Sequence, residues 1–456
     1  MLKITIPPNN NKERVYILDI LFKQFLEIEY IVNISTVNKS FSTIDIGEKR
    51  LLIIKDSFFS NYPNNLEYLQ RSAIPKDIYY FKHPLLIEED IPILFGEATI
   101  EINKNIIISH IDIFATLFFM LTRWEEYINT SRDEHNRFPH TASVAYKEGF
   151  LHRPIVNEYI ELFWNLLLEL GYKGKRGEKT FSMLLTHDVD EIERYPNIKK
   201  VIMAMGGDIL YRKNILLPFK TLYEYTNVLR EKQKDPYDTF NEIMDLSDSF
   251  NIKSHFFFMS GGTTQKYDNR YKIDNPKVKK IINNIKKRGH FVGLHPSYNA
   301  YNNSKQFKME KESLEAINQE AIISGREHYL RFEVPKTWQL WEDNNFEWCS
   351  NLAYAKSAGF RAGSCYPYTP FNILSQKQLN VKERPLIMME VTFAEESKNI
   401  DEFDRMVDYY LNIVKKYSGE FVLLWHNASF KEASLAPYLP SYIKALKKFK
   451  ALEKLA

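Results

Sequence analysis

The sequence predicts an α/β protein in which an irregular, seven-stranded (β/α) barrel follows a smaller α/β domain. Three observations predict it. The chain has 456 residues, more than one hydrophobic core usually fills. From residue 181 onwards, apolar strand candidates alternate with amphipathic helix candidates, which is the rhythm of an α/β barrel. The polar stretch 173–180 contains two glycines and no apolar periodicity, so we interpret it as a linker between domains 1–172 and 181–456.

Residues 1–172 contain two strong strand candidates, Leu51–Lys55 and Ile106–Ile108, each an apolar run rich in isoleucine. Two strongly apolar helices are predicted after them, Ile111–Ile128 and Ile155–Leu170. These elements predict a small α/β domain, but no motif in it indicates a role.

The barrel prediction depends on seven short apolar runs separated by helical patterns. The predicted strands are Phe181–Thr186, Ser254–Met259, Phe291–Leu294, Tyr329–Phe332, Phe360–Ala362, Leu386–Val391 and Phe421–Trp425. The predicted helices are Thr239–Phe250, Lys277–Lys287, Met309–Ile323, Glu402–Tyr417 and Tyr442–Leu455. Residues 191–235 form an insert with one partly apolar helix, Leu216–Leu229, which either shapes a site or only packs beside it.

Composition excludes several classes of protein. The chain has 61 basic and 58 acidic residues and a formal net charge of +3. This balance lacks the excess of positive charge that is typical of nucleic-acid-binding proteins. No stretch approaches the roughly 20 apolar residues of a membrane span. The two cysteines, Cys349 and Cys365, form neither a disulfide framework nor a metal motif. Because the first residues also lack the pattern of a secretory signal, we expect a cytoplasmic protein.

Charged and imidazole side chains follow four of the predicted strands. Asp188 and Asp190 end the first, and His295, Arg331 and His426 follow three others. Because the carboxyl ends of parallel strands meet at one edge, where α/β proteins carry their chemistry, we expect these side chains to form a site. A single buried histidine is usually a satisfied core residue, but burying all of these unpaired would cost several kcal/mol.

With these motifs in this order, residues 180–450 resemble the polysaccharide deacetylases, the NodB-homology group that includes carbohydrate esterase family 4. The likeness rests on Thr186-His-Asp-Val-Asp190, His295-Pro-Ser-Tyr298, Arg331 and Leu424-Trp-His426. It is greatest to the larger bacterial members that carry an uncharacterised N-terminal domain. The segment 123–127 also resembles a recurrent part of those members, and it could dock the two domains.

The resemblance implies a role for each matching residue. Asp188 matches the catalytic base that activates water, and Arg331 matches the arginine that orients this base. Asp190 and His295 match metal ligands. His426 matches the acid that protonates the leaving amine. Leu424 matches a residue lining the acetyl pocket, and it is a substrate-binding candidate by this resemblance. Tyr366 is a second candidate for another reason: it follows the fifth predicted strand, where its backbone amide could hold an oxyanion.

One position departs from the family motif. The second metal-binding histidine is expected four residues after His295, and Asn299 stands there. An asparagine oxygen binds zinc less well than imidazole, so the divalent ion is expected to be zinc or another ion held more weakly. His187 or His290 could substitute for Asn299, although His187 and Asp188 should face opposite sides of their strand. Trp338 is a candidate for stacking on a sugar ring, and the alternative interpretation is that it packs in the hydrophobic core.

The leading interpretation is a metal-dependent hydrolase that removes an N-acetyl group from an amino sugar in a surface-polysaccharide or glycoconjugate intermediate. Two alternatives stay open. The first is a hydrolase of the same fold acting on a non-sugar C–N bond, because fold does not determine substrate. The second is a non-catalytic carbohydrate-binding protein in which Asn299 marks lost activity. The sequence does not determine the oligomeric state.

Overall fold

A computed structural model describes residues 1–210, 216–268 and 271–454 of the protein. Residues before Asp112 contribute a six-stranded mixed sheet, here called the amino-terminal sheet. Residues after Phe181 contribute an eight-stranded sheet, here called the carboxyl-terminal sheet. The chain is therefore a mixed α/β protein, as the sequence predicts.

The amino-terminal sheet combines parallel and antiparallel pairs. Its strands alternate inward apolar side chains with outward polar ones because one face packs on helices. In spatial order they are Tyr30–Ile34, Leu2–Ile6, Phe41–Gly47, Arg50–Lys55, Ile106–Ile111 and Gly96–Asn103.

The helices of this half include a very apolar one, Ile113–Thr122, which is buried almost throughout. The side chain of Asp112 caps it by accepting a hydrogen bond from the amide of Ala115 at 3.0 Å. Arg123 then adopts φ +53° and interrupts the single predicted helix, which resumes after it. The helices before the carboxyl-terminal sheet are Asn11–Leu18 and its π-helical continuation Asp19–Leu26, Ile113–Thr122, Trp124–Ile128, Val144–Lys147 and Ile155–Glu169.

The carboxyl-terminal sheet is parallel at every pairing. Its long central strands are apolar runs because helices and an inner core cover both faces. In spatial order the strands are Lys382–Glu383, Trp348–Cys349, Ser324–Gly325, Phe291–Leu294, Ser254–Phe258, Ser182–Val189, Glu420–Leu424 and Met388–Met389.

This sheet curls strongly. Asp188 lies in Ser182–Val189 and Arg326 directly follows Ser324–Gly325, two strands three positions apart, which a flat sheet would hold about 14 Å from each other. Their side chains are nevertheless in contact, 2.9 Å apart. The curl encloses an inner apolar cluster that is separate from the main core and includes Leu184, Phe257 and Trp348. The result is an irregular half-barrel rather than a flat, doubly wound sheet.

Two of the seven predicted strands are wrong. Tyr329–Phe332 is not a strand because Tyr329 and Leu330 have φ of +60° and +52°, which no β-strand allows. Phe360–Ala362 is a turn packed against the amino-terminal half. The sheet instead uses three pieces too short to detect by pattern, Ser324–Gly325, Trp348–Cys349 and Lys382–Glu383.

The sequence predicts six helices of this half, with ends within about five residues of the observed ones. It does not predict Ile198–Leu210, Lys336–Asp343 or Glu390–Glu396, and the last of these replaces the end of the predicted strand Leu386–Val391. The described residues of this half contain nine helices. They are Ile198–Leu210, Leu217–Leu229, Phe240–Ser249, Pro276–Lys287, Ser304–Asn318, Lys336–Asp343, Glu390–Glu396, Ile400–Lys416 and Leu439–Glu453. Leu455, the predicted end of the last helix, lies outside the described residues. The structure also has two short antiparallel strand pairs, Tyr79–Phe81 with Ile91–Ile93 and Phe371–Asn372 with Lys377–Gln378. Five 3₁₀ turns lie at Arg71–Ala73, His140–Ala142, His328–Leu330, Ala428–Phe430 and Ala436–Tyr438.

One continuous buried cluster joins the two halves and draws on both sheets. The boundaries 1–172, 173–180 and 181–456 remain a prediction, since a shared core does not by itself locate a domain boundary. Across the described ranges, no helix combines the length and the apolar character needed to cross a membrane.

Candidate active site

The site lies at the carboxyl edge of the curled sheet. Asp188 and Asp190 end the Ser182–Val189 strand, and His295 follows Phe291–Leu294. His426 follows the strand on the other side of Asp188. The structure therefore brings five of the predicted site residues to one cleft, these four and Leu424.

Asp190, His295 and His328 form a candidate metal centre. One ligand atom from each lies within 4.8 Å of the other two. The Oδ1 atom of Asp190 is 3.4 Å from Nε2 of His295 and 3.7 Å from Nε2 of His328. Two imidazoles and a carboxylate are the donor set of many hydrolytic metal sites, with a further position left for water or substrate.

Each histidine is held by its other ring nitrogen. Nδ1 of His295 lies 2.6 Å from the carbonyl oxygen of Arg326, and Nδ1 of His328 lies 3.2 Å from Oδ1 of Asp268. Both Nδ1 atoms can therefore donate, which leaves both Nε2 atoms as acceptors facing Asp190. In the part of the chain that the structure describes, the buried Nε2 of His328 makes no hydrogen bond. A metal ion would satisfy it, so these residues fit a divalent cation.

The protonation of the three groups also suits a metal. Burial would raise the pKa of Asp190, but His328 and the contact with His295 outweigh burial and hold this pKa well below its usual range. Burial lowers the pKa of His328 and keeps the imidazole neutral, as a ligand must be. Burial also lowers the pKa of His295, but Asp188 and Asp190 raise it overall. The same negative charges attract a cation, which would displace that proton.

Asp188 is fixed by an arginine that the sequence analysis did not identify. Nη1 of Arg326 donates to Oδ1 of Asp188 at 2.9 Å, and both side chains are buried. Arg326 is itself held by the carbonyl and hydroxyl oxygens of Ser350 at 2.8 and 3.0 Å. The second oxygen of Asp188 faces the metal centre, 3.8 Å from Nε2 of His295. Asp188 thus presents one free oxygen in a defined direction.

His426 is paired with a buried glutamate. Nδ1 of His426 lies 2.7 Å from Oε1 of Glu390, which also accepts from the backbone amide of His426 at 3.0 Å and from the hydroxyl of Ser429 at 2.7 Å. Burial lowers the pKa of His426, but the charge and hydrogen bond of Glu390 outweigh it and raise this pKa to about 10. The imidazole is therefore protonated at neutral pH and can donate a proton from Nε2 into the cleft.

Replacing Glu390 with glutamine is expected to lower the pKa of His426 by about one unit or more, because burial is then opposed by less negative charge. Titration of the histidine side chains by NMR would measure this shift. Ser429→Ala is the matched control because it removes only a neutral donor to Glu390. An unchanged His426 pKa in Glu390→Gln would show that Glu390 does not control the proton.

Arg331 and Asn299 are placed differently from the prediction. Arg331 does not contact Asp188; its Nη1 donates to Oδ1 of Asn299 at 2.9 Å and its Nε donates to the carbonyl of His135 at 2.8 Å. The error arises because the strand ends at Gly325, so the residue that follows the strand is Arg326. Asn299 is exposed, and its carbonyl oxygen is used by Arg331. His328, not Asn299, completes the ligand cluster.

Neither of the alternative histidines contributes to the site. His187 is fully buried, with Nδ1 2.6 Å from the carbonyl of Trp425 and Nε2 3.3 Å from the Ser254 hydroxyl. It faces away from Asp188, as the alternation of strand side chains requires. His290 accepts from the Ser254 amide at 3.0 Å on the outer side of the sheet.

Of the three predicted substrate-binding residues, only Leu424 lines the cleft. The amide of Tyr366 donates to the Ser364 hydroxyl at 2.9 Å, so it is not available for an oxyanion. Its segment packs on the amino-terminal half because Phe360–Ala362 is not part of the sheet. Trp338 is completely buried, and its indole nitrogen donates to Glu383 at 2.9 Å, so it is a core residue.

The cleft has a volume of about 250 Å³ and takes one wall from the amino-terminal half. Glu134, His135 and Arg137 line this wall, and Nζ of Lys356 lies 2.7 Å from Oε1 of Glu134 across the cleft. At the rim, Tyr329 packs 4.7 Å from His135 between ring centres. The opposite side is apolar and is lined by Leu330, Ala355, Met389, Val391 and Leu424.

Sequence reasoning missed four residues of the site: Asp268, Arg326, His328 and Glu390. Glu390 had a visible signal, because it interrupts the apolar run Leu386–Val391 with a charge. Arg326 and His328 follow a strand of two residues, too short to recognise. Asp268 lies in the segment 267–270, which follows the second predicted strand and could be interpreted as a substrate contact or a polar loop; residues 269–270 lie outside the described residues, and only folding brings Asp268 to His328.

A family model described as a family of unknown function (DUF7033) matches residues 2–172. No curated protein shows significant similarity to the chain.

Several solved structures resemble part of the chain. An allantoinase is 14% identical and has a TM-score of 0.37, covering 60% of this chain and 86% of its own. A peptidoglycan N-acetylglucosamine deacetylase is 14% identical, with a TM-score of 0.30 over 60% of this chain and 83% of its own. A CE4 family pseudoenzyme from Bacillus anthracis is 12% identical, with a TM-score of 0.28 over 59% and 61%. TM-scores of this size establish no shared function.

Proposed function

We propose that the protein is a metal-dependent hydrolase that removes an N-acetyl group from an amino sugar in a surface-polysaccharide or glycoconjugate intermediate. One observation carries the proposal: a candidate metal centre of Asp190, His295 and His328 lies in the same cleft as a fixed carboxylate, Asp188, and a protonated imidazole, His426. Hydrolysis of an amide needs a nucleophile, a proton acceptor and a proton donor together.

Asp190, His295 and His328 would hold the divalent ion, and the nitrogen and oxygen donors suit zinc. When bound, such an ion supplies a Lewis acid that polarises a carbonyl and lowers the pKa of water towards about 7. The chain's own contribution is to orient the three donors through Asp268 and the Arg326 carbonyl.

Asp188 would act as the base. Its Oδ1 is occupied by Arg326, so Oδ2 is the oxygen that can take a proton from the attacking water. Because Arg326 is buried and held by Ser350, the carboxylate cannot swing away from the cleft. The position is thus set before the substrate arrives.

His426 would act as the acid. An amide nitrogen leaves only when it is protonated, and a protonated imidazole in the cleft can deliver that proton. Glu390 keeps His426 charged and fixes its ring through Nδ1. A protein that only binds carbohydrate has no need of this pair, which favours the hydrolase over the binding alternative.

The substrate class is supported by the shape and chemistry of the cleft. Leu424 and Met389 provide an apolar surface beside His426, which suits the methyl of an acetyl group. Tyr329 lines the cleft, and its ring is an aromatic surface that suits a sugar ring; Tyr267 packs beside it with the ring centres 5.2 Å apart.

Acetate release and metal content test the proposal together. Wild type is expected to bind about one divalent ion per chain and to release acetate from N-acetylglucosamine oligosaccharides or nucleotide-linked N-acetyl sugars, with activity lost on chelation. His328→Ala should lose both the ion and the activity, because it removes one of three ligands.

Asn299→Ala is the matched control, since Asn299 contacts Arg331 rather than the ligand cluster. This variant should keep its ion. Loss of the ion in Asn299→Ala but not in His328→Ala would restore Asn299 as the ligand. Sugar binding without any acetate release in metal-loaded wild type would favour the carbohydrate-binding protein, and release of a different product would favour another C–N hydrolase.

A further inference from the structure

A loop of the amino-terminal half, residues 133–137, forms one wall of the cleft and is called the wall loop here. Glu134, His135 and Arg137 of this loop line the cleft. The rest of the lining, including the candidate metal centre and His426, comes from the carboxyl-terminal half. The amino-terminal half is therefore part of the site itself, and the size of the cleft depends on this loop.

The wall loop is rigid because one side chain closes it. Oδ1 of Asp133 accepts from the backbone amides of His135 and Arg137, each at 2.9 Å, and Oδ2 accepts from Nε of Arg137 at 2.8 Å. The backbone amide of Asp133 also donates to the carbonyl of Arg137 at 2.9 Å. These internal hydrogen bonds set the shape of the loop before a substrate binds.

Buried arginines attach the wall loop to the carboxyl-terminal half. Nε of Arg331 donates to the carbonyl of His135 at 2.8 Å, and Nη1 of Arg137 donates to the carbonyl of Tyr329 at 2.9 Å. Both arginine side chains are buried. Two further contacts join Asn136 to the Tyr301 hydroxyl at 2.8 Å and His135 to the Tyr298 hydroxyl at 3.0 Å. Because hydrogen bonds from a charged donor are the stronger ones, the loop is held against the cleft.

This attachment gives Arg331 a role that the sequence did not indicate. Its guanidinium lies against two aromatic rings, 4.0 Å from the ring centre of Tyr298 and 4.1 Å from that of Tyr301. Stacking on aromatic faces fixes the direction in which the planar guanidinium donates. Arg331 therefore positions the wall loop and not Asp188.

The wall loop also holds the segment that carries the aromatic rim. Tyr329 and Leu330 have φ of +60° and +52°, a conformation that side chains other than glycine rarely adopt. The hydrogen bond from Arg137 is made to the carbonyl that joins these two residues. Since both residues line the cleft, the loop determines the rim as well as the wall.

The space that this wall leaves is small. The volume of about 250 Å³ lies below the roughly 300–1,000 Å³ of sites that enclose a drug-sized ligand, so the cleft holds about one sugar ring. Glu134 and Lys356 both line the cleft, and a glycan that continued between them would have to separate their ion pair. This pair is exposed and therefore weak, so the main barrier is the attached loop.

We propose that the wall loop limits the cleft to one sugar, so that the protein acts on a terminal N-acetyl sugar and not on an internal unit of a polymer. An internal unit has a neighbour on each side and needs a cleft with two open ends, whereas a terminal unit needs one. The reaction in this inference rests on the proposed function, but the size of the cleft can be tested by binding alone.

Binding to the metal-loaded Asp188→Asn protein tests the size of the cleft without turnover. Calorimetric titration with N-acetylglucosamine and with its tetrasaccharide should give dissociation constants within about threefold of each other, because the three additional sugars lie outside the cleft and make few contacts. A tetrasaccharide that binds more than about tenfold more tightly than the monosaccharide overturns the inference. Absence of binding by both sugars overturns it as well.

Glu134→Ala/His135→Ala, made in the same protein, opens the wall. The backbone carbonyl of residue 135 can still accept from Arg331, so the loop should stay attached. This variant should bind the tetrasaccharide about tenfold more tightly than the monosaccharide, since a second sugar can then contact the protein. Ser131→Ala is the matched control, because Ser131 is exposed on the same connection and does not line the cleft. Equal ratios in the double variant and the control overturn the inference.

The position of the free amine gives a second test. Mass spectrometry of the tetrasaccharide after incubation with wild type should place the amine on an end unit, and the wall variant with Asp188 intact should also deacetylate internal units. Internal deacetylation by wild type overturns the inference and leaves the hydrolase in place. A one-sugar binding ratio without any acetate release retains the size of the cleft and rejects the hydrolase.

Discussion

Asp188→Asn is expected to lower the rate of acetate release by about 10²- to 10⁴-fold, the usual contribution of a positioned general base. The amide oxygen of asparagine can still accept from Arg326, so the fold and the shape of the cleft should be retained. The side chain that faces the metal centre would no longer take a proton. Steady-state acetate release, measured with the metal content of the same preparation, checks the result.

Asp190→Asn is the matched comparison, because the two aspartates are two residues apart but have different roles in the proposal. Asp188→Asn should lose rate and keep its ion, whereas Asp190→Asn should lose the ion first. Unchanged turnover in Asp188→Asn would reject it as the base. Loss of the ion in Asp188→Asn would instead make this residue a ligand.

Glu126→Ala is expected to lower the free energy of unfolding by about 3–5 kcal/mol, the usual effect of breaking a buried ion pair from one side. Glu126 is buried between two buried arginines, Arg123 and Arg361. Its Oε1 accepts from Nε of each at 2.9 Å, and Oε2 accepts from Nη2 of Arg361 at 2.5 Å. Removing the carboxylate takes away a negative charge that neutralises two buried arginines. One of these arginines belongs to each half, so the change falls where the halves meet.

The pH dependence of this effect has a definite sign. Burial raises the pKa of Glu126, but Arg361 and Arg123 outweigh it, and the net pKa is lowered from 4.5. A lowered folded-state pKa means that the stabilisation is present above pH 4.5 and is lost as the pH falls through the lower folded-state value. The difference in the free energy of unfolding between wild type and Glu126→Gln should therefore become smaller at acid pH.

Urea unfolding at neutral pH followed by circular dichroism measures the change. Glu148→Ala is the control, because Glu148 is exposed in the same half of the chain. A loss in Glu126→Ala no larger than in Glu148→Ala would show that the network does not hold the halves together. The same network reaches Tyr354, whose hydroxyl lies 3.3 Å from Nη2 of Arg123, and the adjoining Ala355 lines the cleft.

The ion pairs of Glu126 explain the segment 123–127. From the sequence, this segment could only be compared with similar segments of related proteins. Glu126 pairs with Arg361 and Arg123 contacts Tyr354, both in the other half, whereas Glu125 pairs with Arg123 and accepts from the amide of Val144 within its own half. The interpretation that it docks the halves agrees with the structure. The contact partners could not be predicted, since Arg361 is 235 residues away in the chain.

The sequence also predicted most of the order of elements in the second half. Ser182–Val189 and Glu420–Leu424 were recognisable because parallel strands covered on both faces are apolar runs. Ser324–Gly325 and Trp348–Cys349 were not, because two residues carry no periodicity. One misplaced strand then led to Arg331 in place of Arg326 and concealed His328.

By itself, the sequence determined that Asp188, Asp190, His295 and His426 end strands of one parallel sheet, because apolar runs interrupted by charge mark the edge where a buried strand emerges. Only the tertiary structure decided which groups complete the site. The curl of the sheet brings Arg326 to Asp188 across three strand positions, a loop brings Asp268 to His328, and a neighbouring strand brings Glu390 to His426. These contacts join residues that are far apart in the chain. They depend on where folding places each side chain, and no local sequence pattern predicts that.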